Sequence, residues 1–567
     1  MTALKTRLLL SFLVVTAMSA VPLALCGCSD TRVSEMIIQF DQPAGFVYDP
    51  DVISVGGEGG SMAELKRLPD GPFWTATYQD PRPRLCAEYH GINFDNDGNI
   101  VAVGVIADMN TYYSVFTGEL IVSKYDRNGQ LLPGWPVTYI GEGYRWNEAH
   151  NVVVDDQDNI WVSGYTGTVD NKYYFAVWKF DPDGSMAQGF PQYPAGPMAY
   201  GNQIIIDSNG DIVACGGDGP SRYEKMLLVR YKQDGTPAEG WPKTYQFPGA
   251  QHSFAYGIIQ DSDGNLVVAG FVNTTGSTDA ALWKLDAAGN VLDGWPKVWD
   301  SGAGYDEYYS VSQDSSGDYC LVGIARDPDW GRGQLLLTRY SKEGEQLASE
   351  GWPQIYGASG LRDYSPPDSW CGCVDSAGSI AAAATCQSDT HVDTVKYTSG
   401  AAMAAGFPKA YGEEGYFDVT RYCTVDDMDN IYTVGFSEFE DGTQTVYPTF
   451  IVKYPPAAYS TARPAVVTQQ GLSYSRLSGF KEALGVENQG TVTYQLSPDG
   501  EEWYYHDGGG WVGTSLKHQA NTASEVNDAI GTFAEQVGGG ALYVKAFLVS
   551  AGEEMVQLAS LSIEYEQ

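Results

Sequence analysis

Basic side chains are scarce. The 567 residues hold 33 Lys and Arg against 71 Asp and Glu, for a net charge of −38. Such a chain is repelled by phosphate backbones, which argues against nucleic acid as a partner. Histidine is scarcer still, at six. Beyond the N-terminal region no stretch approaches the ~18 uninterrupted apolar residues that a membrane helix requires. Cysteines number nine, and none has metal-site spacing: Cys371-Gly372-Cys373 lacks the usual two-residue gap. A nucleophile elbow, a zinc-protease helix and a phosphate-binding loop are also missing. What is abundant is glycine (66) and aromatics (38 Tyr, 14 Trp, 20 Phe). That mix suits strands joined by many tight turns, and the length calls for more than one domain.

Seven Asp-led turns recur between short apolar strands. They begin at Asp95, Asp155, Asp207, Asp261, Asp314, Asp375 and Asp426, between 51 and 61 residues apart. Asp95-Asn96-Asp97-Gly98-Asn99 is typical. Repetition at this period marks a solenoid or a propeller. A first strand precedes each turn (Asn151-Val152-Val153-Val154). A second follows it and ends near Gly (Ile160-Trp161-Val162-Ser163-Gly164). A third (Ala176-Val177-Trp178-Lys179-Phe180) leads to a second Gly turn. The fourth is expected to carry Gly-Trp/Phe-Pro, as in Gly134-Trp135-Pro136. Proline removes a ladder donor and belongs on an edge, so four-stranded sheets packed radially fit better than a coil of shorter repeats.

The seventh repeat stops after Phe450-Ile451-Val452-Lys453-Tyr454, without a fourth strand. Leu68-Pro69-Asp70-Gly71-Pro72-Phe73-Trp74 resembles Leu132-Pro133-Gly134-Trp135, so an N-terminal strand is expected to close the last blade. The fold class is therefore all-β: a seven-bladed β-propeller plus a β-sandwich. The repeat, Asp-x-x-Gly-Asn followed by Lys-Tyr/Phe-Asp-x-x-Gly, resembles the bacterial secreted β-propeller repeat family of the SBBP type over residues 68–457. That resemblance implies fold and no activity, because the family has no shared catalytic residues.

Residues 1–27 read as a lipoprotein signal peptide: Lys5 and Arg7, an apolar run from Leu8 to Leu25, then Leu25-Cys26-Gly27-Cys28-Ser29. The last five resemble a bacterial lipobox with Cys28 as the lipid-bearing residue. The expectation is export and lipid anchoring to a bacterial membrane, at the outer membrane or cell surface. Residues 458–567 alternate as half-buried strands do. They resemble the β-sandwich module of bacterial surface proteins, through Tyr494-Gln495-Leu496-Ser497-Pro498-Asp499-Gly500 and Trp503-Tyr504-Tyr505. Residues 28–67 are expected to join that sandwich, with the propeller inserted between the two segments.

The candidate site lies where each innermost strand begins. Five residues before the leading Asp stand His90, His150, Asn202, Tyr256, Tyr309, Trp370 and Arg421. Seven before it, Glu88, Glu148, Glu307 and Asp368 add carboxylates. Residues two apart share a strand face, so these groups should gather at one end of a central channel. Glu88-x-His90 and Glu148-x-His150 offer two imidazoles and two carboxylates, enough to ligate a divalent cation or to act as an acid–base set. A third His, as three-histidine zinc sites have, is absent. The Asp turns invite a calcium reading, but the ligands that complete an EF-hand are missing, and turn capping explains all seven. The sequence thus favours a monomeric, non-catalytic envelope scaffold without a cofactor, binding glycan, peptide or protein at the propeller face. The alternative is a metal-assisted lyase or hydrolase using Glu88, His90, Glu148 and His150.

Overall fold

The computed structural model describes residues 33–56, 62–82, 85–108, 117–220, 223–274, 277–302, 304–326, 333–357, 372–386, 391–412, 416–441, 444–538 and 540–567. The signal segment with Cys28, together with Asp368 and Trp370, lies outside these residues.

Among the described residues the chain is all-β, with one short α-helical stretch and two isolated 3-10 turns. Each repeat folds back on itself as an antiparallel sheet. In the fourth, His252–Gln260, Leu266–Thr274, Ser277–Leu285 and Lys297–Trp299 pair in sequence order. Alternation of apolar side chains puts one set on each face of every sheet, and each face packs against the next sheet. Val213, Cys215, Leu228, Ile258, Val268 and Trp283 form one such shared core between the third and fourth repeats.

Two details differ from the sequence expectation. The Gly-Trp/Phe-Pro motif is not within the fourth strand but just ahead of it: Val137–Tyr139 and Lys243–Tyr245 start immediately after Pro136 and Pro242. Placing Pro outside the ladder removes any conflict with its missing N–H. The second repeat has three named strands, and a single bridge, Val177 to Gln192, stands where the fourth would be.

The ends of the repeat region meet. Trp74–Tyr78 pairs antiparallel with Thr449–Tyr454, Ala76 opposite Ile451. Ala76, Tyr89, Ile92, Ile121, Val434 and Ile451 make a buried core between the first repeat's sheet and this last one. The two segments are far apart in the chain, so this junction carries a large loop-closure entropy that the shared core must offset.

The Asp turns cap themselves. Asp95 Oδ1 accepts the N–H groups of Asp97 at 3.0 Å and Asn99 at 2.7 Å, while Gly98 takes the left-handed conformation (φ 75°). A cationic side chain from the third strand already neutralises most of these carboxylates: Lys124 on Asp95 at 2.6 Å, Arg230 on Asp207 at 3.1 Å, Lys284 on Asp261 at 3.0 Å and Lys396 on Asp375 at 2.7 Å. These four turn carboxylates are ion-paired as well as capped.

Outside the repeats, two sheets face each other. One joins Ser34–Gln39, Ile53–Val55 and Ala63–Leu65 with Arg476–Leu484 and Gln557–Glu566; the other holds Phe46–Val47, Ala465–Thr468, Thr491–Ser497 and Ala541–Val549. Their core includes Ile53, Phe480, Tyr494, Leu548 and Ile563, covered by the helix Ala523–Ala529. Thr522 and Glu525 close a capping box at its start.

Candidate functional site

One irregularity aims the site residues. On the innermost strand of the first repeat, Tyr89 pairs with Gly104 and Gly91 with Val103, so His90 is an extra residue in the ladder. The same slip brackets His150, Asn202, Tyr256, Tyr309 and Arg421. A β-bulge re-aims the side chain of its extra residue. The partner glycines are its sterically required counterpart: a Cβ on Gly104 would overlap the Glu88 carbonyl, and one on Gly164 the Glu148 carbonyl. The Gly at this place in six of the seven second strands therefore lets the bulge form, while the sixth repeat has Ala384 there.

The first, second and seventh repeats bring five of the expected residues into one network. His90 Nε2 lies 3.2 Å from Glu88 Oε2, and its Nδ1 lies 3.3 Å from Glu148 Oε1. His150 Nε2 is 3.3 Å from the same Glu148 oxygen, and its Nδ1 donates to the Gly201 carbonyl at 2.8 Å. Arg421 Nη2 donates to Glu88 Oε2 at 2.9 Å. These side chains are largely buried: 10% exposed for Glu88, 6% for His90 and 14% for Glu148.

Burial alone would raise both carboxyls, but their partners win. Arg421 and His90 hold Glu88 below its usual range, and the two imidazoles hold Glu148 well below it. Burial likewise opposes a charge on His90, yet its bonds to Glu148 and Glu88 raise its pKa. The cluster is thus a set of charges stabilised against one another in a poorly hydrated place.

Two aromatic side chains complete the network, and of these Tyr165 was not expected from the sequence. Tyr165 OH and Trp146 Nε1 each donate to Glu148 Oε2 at 2.7 Å. Burial, then the Glu148 charge, pushes the Tyr165 phenol well above its usual value, so it stays protonated. Tyr165 comes from the second strand of its repeat, one residue past Gly164. The one available signal was its place directly opposite Glu148 in the ladder.

A second group forms on the fourth and fifth repeats. Glu307 is buried, at 2% exposed, and burial pushes its carboxyl up to about 7 despite hydrogen bonds from Tyr309, Tyr305 and Tyr256. The Tyr256 and Tyr309 rings meet edge to face at 4.9 Å. Asn202 links the two groups: its Oδ1 is 3.2 Å from His150 Nδ1, and its Nδ2 donates to the Ala255 carbonyl. His150, Asn202 and Tyr256 line one small cavity with Asn151, Gln203 and Tyr422.

No known family model matches the chain, and no curated protein matches it. Solved structures do resemble it in fold. An ulvan lyase of polysaccharide lyase family PL25, bound to a sugar, aligns over 69% of this chain and 96% of its own, with a TM-score of 0.43 at 12% identity. The polysaccharide lyase Uly1 covers 74% of this chain and 99% of its own, with a TM-score of 0.40 at 11% identity. An endo-arabinase from Bacteroides thetaiotaomicron covers 48% and 99%, with a TM-score of 0.31 at 14% identity. The expectation of a non-catalytic scaffold is corrected here. The three structures just named are glycan-cleaving enzymes, and the site residues of the first, second and seventh repeats form a largely buried charge network.

Proposed function

We propose that this chain is a glycan-cleaving enzyme, a lyase acting on a uronate-containing polysaccharide at the mouth of a seven-bladed propeller. The carrying observation is the buried network of His90, Glu148, His150 and Tyr165, fixed by Glu88 and Arg421. Hydrolysis by a carboxylate pair needs one neutral acid and one ionised partner. Glu88 and Glu148 are both held ionised, so that pair lacks its acid. Elimination asks for other parts: positive charge against the substrate carboxylate, a group to take the neighbouring proton, and an acid for the leaving oxygen. Arg421 brings positive charge, His90 and His150 imidazoles that can take a proton or a cation, and Tyr165 a protonated phenol. In the same reading residues 28–67 and 458–567 form an accessory sandwich. A lipid on Cys28, as the lipobox-like segment suggests, would hold the enzyme at the cell envelope, where polymers too large to cross a membrane are met.

The test is incubation of the purified chain with uronate polysaccharides and with neutral glycans. Ultraviolet absorbance from unsaturated uronyl ends is expected from the former only. Tyr165→Phe should slow the reaction by about 10²–10⁴-fold, the usual worth of a positioned proton donor. New reducing ends without that absorbance, or no cleavage of either class, would overturn the reading.

A further inference from the structure

We propose that His90 Nδ1, Glu148 Oε1 and His150 Nε2 bind one divalent transition-metal ion, with zinc the best match to this donor set. The inference rests on the glycan-cleaving reading for its purpose and on donor geometry for its existence. The three atoms lie within 4.8 Å of one another. Tetrahedral zinc with ligands at ~2.0–2.1 Å holds its donors about 3.3 Å apart. Two of the three separations here are 3.3 Å, His90 Nδ1 to Glu148 Oε1 and His150 Nε2 to Glu148 Oε1. Two imidazoles and one carboxylate, leaving a further position for water or substrate, form an established catalytic zinc set. A count of histidines misses it, because Glu148 is the third ligand.

The outer contacts point the same way. A histidine that binds a metal through one ring nitrogen commonly donates its other N–H to a carboxylate or a backbone carbonyl. His90 does the first, with Nε2 on Glu88, and Arg421 in turn holds Glu88. His150 does the second, with Nδ1 on the Gly201 carbonyl. A carbonyl only accepts, so the His150 proton sits on Nδ1, and the Nε2 lone pair then faces the Glu148 oxygen. Lone pair against carboxylate is repulsive, so this contact requires either a second proton on the ring or a metal cation between the two atoms. The other Glu148 oxygen is engaged by Tyr165 and Trp146, which turns Oε1 towards the two rings. All three ligands sit on ladder-paired innermost strands of adjacent repeats, which fixes their backbone. A cation here would take a substrate carboxylate at its remaining position, supplying the positive charge that elimination needs.

The experiment uses the full chain, stripped with a chelator, refilled with zinc or cobalt(II), and assayed for bound metal by mass spectrometry. One ion per chain is expected. The cobalt form should show the visible absorption of a four- or five-coordinate site. His150→Ala and Glu148→Gln should each weaken zinc binding at least tenfold. Glu148→Gln keeps the side chain's shape, and an unchanged metal-free melting temperature would show that it still folds. A folded wild-type chain that takes up neither ion stoichiometrically overturns the proposal and leaves only protons in the network. Metal bound without any polysaccharide cleavage would instead overturn the enzymatic reading while this site stands.

Discussion

At the scale of the residue, Glu307 offers a sharp measurement because its surroundings are uncharged. Burial raises its carboxyl from 4.5 to about 7, and the three tyrosine hydroxyls of Tyr256, Tyr305 and Tyr309 only partly oppose this. The folded chain therefore keeps a proton that the unfolded chain has released. By linkage, stability falls as pH rises from about 4.5 to about 7, then levels once both states are ionised. The full difference is on the order of 3 kcal/mol. Glu307→Gln should flatten that slope, because a neutral amide replaces the acid at every pH. Urea midpoints measured across this range would check it: an unchanged slope in the variant means that Glu307 is ionised in the fold.

At the scale of the element, the bulge decides the site. Period-two alternation correctly gathered Glu88 with His90 and Glu148 with His150. It did not reveal that each site histidine is an extra residue in its ladder, because a bulge depends on the partner strand and leaves no mark on the strand that carries it. The mark is on the partner instead, in Gly104, Gly164, Gly216, Gly270, Gly323 and Gly435, each facing a carbonyl that would overlap a Cβ. The sequence displayed those glycines as strand ends without giving their reason. Tyr165 was hidden for a related cause: its role arises from the ladder setting it opposite Glu148. Gly164→Ala should therefore cost about 1–3 kcal/mol or more, as overpacking of a close contact does. It should also displace Glu148 and abolish any activity of the cluster. Gly196→Ala, where an added methyl meets nothing within 4 Å, should stay within about 0.5 kcal/mol. Thermal melts of the two variants compare them directly, and equal stability would remove the bulge from the argument.

At the scale of the whole molecule, the repeat count and the order of strands were readable because each Asp turn, each Lys or Arg of the third strand and each Gly-Trp-Pro recurs in register. How the first and last sheets join was readable only from one displaced aromatic segment around Trp74. That junction bears most on the site, since Arg421 reaches Glu88 from the seventh repeat to the first. If the seam opens, Glu88 loses its guanidinium and His90 its fixed partner. Strand Trp74–Tyr78 permits a paired test. Ala76 is 7% exposed and packs into the core shared by the two sheets, whereas its neighbour Thr75 is exposed. Ala76→Asp would bury an unpaired charge and should cost about 3 kcal/mol or more. Thr75→Asp, in the same strand with the same added charge, should be nearly neutral. A seam that governs the site further requires that Ala76→Asp reduce both zinc uptake and polysaccharide cleavage at temperatures where the protein is still folded. Loss of stability in both variants alike would mean that charge on the strand matters rather than burial. Loss in neither would mean that the ring closes without this strand, and the link from Arg421 to Glu88 would need another support.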